Sequence, residues 1–119
     1  MGKIKFKAKV DSNDEKYIAY GTGIYNNDRI VYKEKDINVT ILIRDNQIEM
    51  IRKCNDYLIH LFFQKDLITQ SEYQLFGGKK VFYLETKTEL LEFDDKKIQI
   101  DYILEDNKFS YMLEMEKVW

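Results

Sequence analysis

The chain has 119 residues, a single cysteine and a formal net charge of −2. That length suits one domain, read here as residues 1–119, which buries roughly two-thirds of the surface its unfolded chain exposes. Cys54 alone excludes an intramolecular disulfide and a cysteine-built metal site. The basic residues, 16 lysines with Arg29, Arg44 and Arg52, are spread rather than clustered, which argues against a nucleic-acid partner.

From the N-terminus, Ile4, Phe6, Ala8 and Val10 alternate with Lys3, Lys5, Lys7 and Lys9. Period-two alternation predicts a strand with one dry and one wet face. Asp11-Ser12-Asn13-Asp14 is a turn by composition. Tyr17–Tyr25 is aromatic and β-branched, with Gly21 and Gly23 reading as a bulge or bend rather than a phosphate loop. After Asn26-Asn27-Asp28 come strands at Arg29–Lys35, Ile37–Ile43 and Gln47–Lys53, the last two joined by Asp45-Asn46. Tyr57–Gln64 and Leu67–Phe76 follow. Gly77-Gly78 is the strongest hairpin signal, because paired glycines accept the positive φ of primed turns. Val81–Phe93 is long enough to bend midway; within it Lys87–Phe93 is good helix material in a strand context. Lys97–Leu104 and Lys108–Glu116 complete the series.

The pattern predicts an all-β antiparallel meander of about 8–10 strands, since loops of two to four residues join antiparallel neighbours. So many strands would leave exposed edges unless the sheet closes into a barrel. No apolar run reaches the roughly 20 residues of a membrane helix, and the start lacks the apolar run of a signal peptide. The expectation is therefore a cytoplasmic protein without a membrane partner.

The order Tyr20-Gly21-Thr22-Gly23-Ile24-Tyr25, Tyr32-Lys33-Glu34, Ile48-Glu49-Met50-Ile51-Arg52, Tyr73, a glycine turn, Thr86 and Asp101-Tyr102-Ile103-Leu104 resembles the YwiB-like family. These are small bacterial domains of unknown function, and the similarity runs from about residue 4 to 116. The resemblance implies a calycin-type, lipocalin-like barrel with shortened loops, and no reaction.

Parity then nominates polar residues on dry faces. Glu34 shares a face with Ile30 and Tyr32, and Arg52 with Ile48 and Met50. Buried charges are costly unless paired, so the two are expected to meet inside. Such a pair is either a structural salt bridge at the rim or an anchor for a polar head group. The candidate lining of an interior ligand site is Tyr32, Glu34, Met50, Arg52, Phe62, Tyr73, Thr86 and Tyr102. Most of the nine tyrosines read as cross-strand packing. His60, the only histidine, and the carboxylates Glu72, Glu85 and Glu89 are weak catalytic candidates, because no nucleophile or fixed separation accompanies them. Three readings follow: a module binding a small, largely apolar ligand, a packed interaction or structural protein, and, least favoured, an enzyme using His60 or Glu34. No cofactor is expected, and the chain would work as a monomer or homodimer.

Overall fold

A computed structural model describes residues 2–78 and 80–118. The described residues form ten strands: β1 (Gly2–Ser12), β2 (Lys16–Asn26), β3 (Arg29–Glu34), β4 (Ile37–Arg44), β5 (Gln47–Lys53), β6 (Tyr57–Gln64), β7 (Ile68–Leu75), β8 (Val81–Phe93), β9 (Lys97–Leu104) and β10 (Asn107–Lys117). Each pairs antiparallel with its neighbour in the chain, and β1 pairs with β10, from Ile4 opposite Lys117 to Ser12 opposite Phe109. The sheet is a closed barrel, consistent with the calycin type. No described helix is long and apolar enough to cross a membrane, which says nothing about spanning by strands.

Alternation sets the inside. Ile4, Phe6, Ala8 and Val10 are buried while Lys3, Lys5 and Lys9 are exposed. The dry faces meet in one core, densest at the end closed by the β2–β3, β4–β5 and β8–β9 turns. There Ile30, Ile41, Ile48, Phe63, Ile98 and Ile100 have no exposed surface. The expected bend in β8 is a register shift between Thr88 and Leu90, and Lys87–Phe93 remains a strand.

Two turn features depart from expectation. None of the described glycines has positive φ; Asn27, Lys35, Asn46, Asp66 and Glu105 take that conformation instead. Gly77-Gly78 therefore does not form a primed turn, and the β7–β8 connection is longer than two residues. Gly21 and Gly23 are places of close approach rather than a bulge. A Cβ on Gly21 would stand 3.0 Å from the Phe6 ring, and one on Gly23 would stand 2.6 Å from the Val31 carbonyl oxygen.

The wall has two interrupted seams. Pairing of β6 with β7 runs from Tyr57–Leu75 to His60–Glu72 and then stops. Beyond that point side-chain hydroxyls replace the ladder. Ser71 Oγ accepts the Phe62 N–H at 3.1 Å, and Thr88 Oγ1 accepts the Gln64 N–H at 3.2 Å. Ser71 and Thr86 hydroxyls are 2.7 Å apart behind them. The second seam is open. β2 pairs with β3 only from Gly23–Tyr32 to Asn26–Arg29, so its segment from Lys16 to Thr22 has no ladder partner on that side.

Candidate functional site

The open seam and the turns of the opposite barrel end frame a cavity of about 770 Å³. Much of its lining is apolar: Met50, Ile59, Leu61, Leu104 and Phe109. Ile18, Tyr20, Lys33 and Lys35 also line it. Their backbone positions belong to the outer face, so the cavity opens sideways between β2 and β3 as well as at the barrel end.

The near wall carries a polar network. β3 and β5 flank β4, with Glu34 opposite Ile37 and Arg52 opposite Val39. Both side chains turn inward over β4. Arg52 Nη2 donates to Glu34 Oε2 at 2.8 Å, and Nη1 donates to Oε1 at 3.4 Å. The pair predicted from parity is thus present, with Arg52 14% and Glu34 4% exposed. Tyr17 O–H donates to Oε2 at 3.1 Å and Tyr32 O–H to Oε1 at 2.9 Å. Four donors on one carboxylate fill the roughly four lone-pair sites it offers.

One proton per hydroxyl fixes the remaining directions. Tyr32 gives its proton to Glu34, so Tyr111, 2.7 Å away, donates to Tyr32. Tyr17 gives its proton to Glu34, and so it accepts the second Nη2–H of Arg52 at 2.8 Å. Burial raises the Tyr17 phenol to about 12, with Arg52 opposing and Glu34 reinforcing. Burial likewise lifts Tyr32 and Tyr111 well above the usual phenol range. Burial alone would lower the Arg52 guanidinium, but the hydrogen bond and charge of Glu34 outweigh it and raise it. At neutral pH every phenol here is a neutral donor and the guanidinium is charged.

Tyr102 completes the site differently. It is 8% exposed and lines the cavity, yet its hydroxyl has no hydrogen-bond partner among the described residues. No buried side-chain N or O atom among those residues is both sealed and unpaired, so this hydroxyl is open to the cavity. Burial raises its pKa, and Arg52 acts in the opposite sense.

Of the eight lining candidates, Glu34, Met50, Arg52 and Tyr102 border the cavity. Tyr32 lies just beneath and supports Glu34. The other three lie elsewhere in the wall. Phe62 is on the outer wall, opposite Glu49 and stacked 4.1 Å from His60, because β6 is apolar on both faces and its composition hides its parity. Thr86 is inside the wall, in the hydroxyl seam. Tyr73 stacks on Tyr57 with centroids 5.9 Å apart, and Tyr57 rather than Tyr73 faces the space. Tyr17 and Tyr111 were missed, although each shares parity with dry-face neighbours, Ala19 and Leu113 respectively.

His60 is on the outer wall, away from the cavity. Its Nε2 is 3.0 Å from Glu49 Oε1, and Arg44 Nε donates to Glu49 Oε2 at 3.1 Å. Burial would raise the Glu49 carboxyl, but bonds from Arg44 and His60 hold it below the usual range. Glu72 and Glu85 also face outward, opposite in parity to Ser71 and Thr86, and Glu89 is exposed at the β8 shift. Cys54 is half-buried in the β5–β6 turn. No group of three or more His, Cys, Asp or Glu among the described residues could hold a metal ion.

Residues 3–115 match the family model described as Domain of unknown function (DUF1934). The chain belongs to the DUF1934 family. This DUF1934 chain is similar to the solved ywiB protein from Bacillus subtilis, with a TM-score of 0.68 and 13% identity. The likeness covers 98% of this chain and 91% of that one. At such identity it establishes the shared fold, in line with the YwiB-like resemblance of the sequence. No curated protein matches this DUF1934 chain.

Proposed function

We propose that this protein binds a small, largely apolar ligand in the half-open end of its barrel. The observation that carries the reading is the division of the interior. One end is filled by aliphatic and aromatic side chains, while the other keeps a cavity of about 770 Å³ whose lining combines apolar side chains with the Arg52–Glu34–tyrosine network. Ligand sites commonly combine such an apolar lining with a few placed polar groups, in spaces of roughly 300–1,000 Å³. Four hydrogen bonds to Glu34, two of them from the Arg52 guanidinium, keep a buried ion pair in place beside the cavity, where a purely packed barrel would have used apolar side chains at lower desolvation cost. His60 and the outward carboxylates are remote from this space, so the reading is binding rather than catalysis.

Native mass spectrometry of freshly purified protein tests it. The expected result is an adduct that disappears on denaturation. A bare chain mass, together with no uptake of the apolar fluorophore anilinonaphthalene sulfonate, would return the barrel to a purely structural or interaction role.

A further inference from the structure

The binding reading above leaves the chemical class of the ligand open; the hydrogen-bond inventory of the near wall narrows it. Glu34 is saturated by Arg52, Tyr17 and Tyr32, so it has no acceptor site left for a ligand. Tyr17 and Tyr32 are spent on the same carboxylate, and Tyr111 on Tyr32. What remains for a ligand is donors. Arg52 uses both Nη2 protons and one Nη1 proton on protein acceptors. Its Nε–H has no partner among the described residues and is not sealed off, and Arg52 lines the cavity; the second Nη1–H points the other way, back along the side chain. Tyr102, more than nine-tenths buried, offers its unpartnered hydroxyl to the same space.

We infer that the ligand carries an oxyanion head, a carboxylate or a phosphate monoester, held between the spare Nε–H of Arg52 and the Tyr102 hydroxyl, with its apolar body against Ile59, Leu61, Leu104 and Phe109. A ligand cation would meet no free acceptor on Glu34. A neutral ligand would still accept from the charged guanidinium, but it would forgo the doubly ionised N⁺–H···O⁻ contact that an oxyanion makes. The opening agrees in sign. Lys33 and Lys35 stand on its rim with Glu15, while Lys16 is paired with Asp11 at 3.8 Å and Glu34 with Arg52. Solvated lysines of this kind add little to affinity but steer anions towards a cleft.

Calorimetric titration of the intact protein with decanoate, decyl phosphate, decanol and decylamine tests the head group at constant tail. The two oxyanions are expected to bind, the better of them naming the head. Decanol should bind at least about tenfold more weakly, the loss expected for one hydrogen bond to a charged group, and decylamine no better than decanol. Tyr102→Phe keeps the ring and removes a hydroxyl that no group among the described residues uses. It is expected to weaken the better oxyanion about tenfold and to leave the melting temperature unchanged, whereas a merely structural hydroxyl would move stability and not affinity. Equal binding of all four probes, or preference for decylamine, overturns the head-group inference while leaving a binding cavity in place. Failure of all four to bind also overturns it, and the native mass then decides separately whether the cavity reading falls too. An unaltered oxyanion affinity in Tyr102→Phe removes Tyr102 from the site and the inference with it.

Discussion

Arg52 and Glu34 face each other across β4 with Nη2 and Oε2 2.8 Å apart, and Tyr17 closes the contact from the far side of the open seam. The salt bridge therefore joins β3 to β5, while the tyrosine ties β2 to both where the β2–β3 ladder has ended. A buried ion pair is weak evidence for stability, yet removing one member leaves the other charged and unpaired. Glu34→Ala is accordingly expected to cost about 3–5 kcal/mol, read as a lower urea midpoint at unchanged slope. Replacing the two together, with Glu34→Leu and Arg52→Met, should recover most of that loss. If the double variant is as unstable as Glu34→Ala, the cost lies in packing rather than in the orphaned guanidinium.

The parity that foretold this pair also carried most of the architecture. Lysines alternating with Ile4, Phe6, Ala8 and Val10 define β1; four strands, β5, β6, β8 and β9, begin and end where their turn residues place them, and β3 and β4 begin there. Parity failed where a strand is apolar on both sides. In β6, Leu58, His60 and Phe62 read no differently from Ile59, Leu61 and Phe63, and only pairing with β5 shows that Phe62 faces out. Thr86 was assigned the correct face and the wrong role, because the interruption between β6 and β7 is a property of three strands in space. The Gly77-Gly78 signal misled for a local reason: the turns that need positive φ recruit asparagine, aspartate, lysine and glutamate instead. Tyr102 shows the limit from another direction, since which hydroxyl lacks a partner follows from the complete hydrogen-bond inventory and not from spacing.

Alkaline pH should expose the tyrosine network. Tyr17, Tyr32, Tyr102 and Tyr111 all have phenols raised above the ordinary value of 10.0, chiefly by burial. Above that pH an unfolded chain sheds protons that the folded chain retains. The unfolded state then binds fewer protons, so stability falls as pH rises. The contribution is full below pH 10.0 and, for Tyr17, is lost progressively up to about 12. Denaturant midpoints measured across this window should decline, and Tyr17→Phe should make the decline shallower. Phenolate absorbance of the folded protein should stop short of its full amplitude and complete only on unfolding. A titration in which all nine tyrosines ionise while the fold persists would contradict the buried network.

The hydroxyl seam offers the sharpest test of how the barrel wall is held. Where β6 leaves β7, the Phe62 N–H depends on Ser71 and the Gln64 N–H on Thr88. Ser71 and Thr86 are fully buried, so no solvent stands ready to replace a deleted hydroxyl. Leaving a buried donor without an acceptor costs about 1–3 kcal/mol. Ser71→Ala and Thr88→Val should each destabilise by that amount, and each should speed hydrogen exchange at one amide, Phe62 in the first and Gln64 in the second. Exchange at Leu61 N–H and on β9 should change only by the global loss of stability, because those groups keep their ladder partners. If the Phe62 and Gln64 amides keep their protection in these variants, the wall closes there by backbone pairing with β7 or β8, and the side-chain seam is not what holds it.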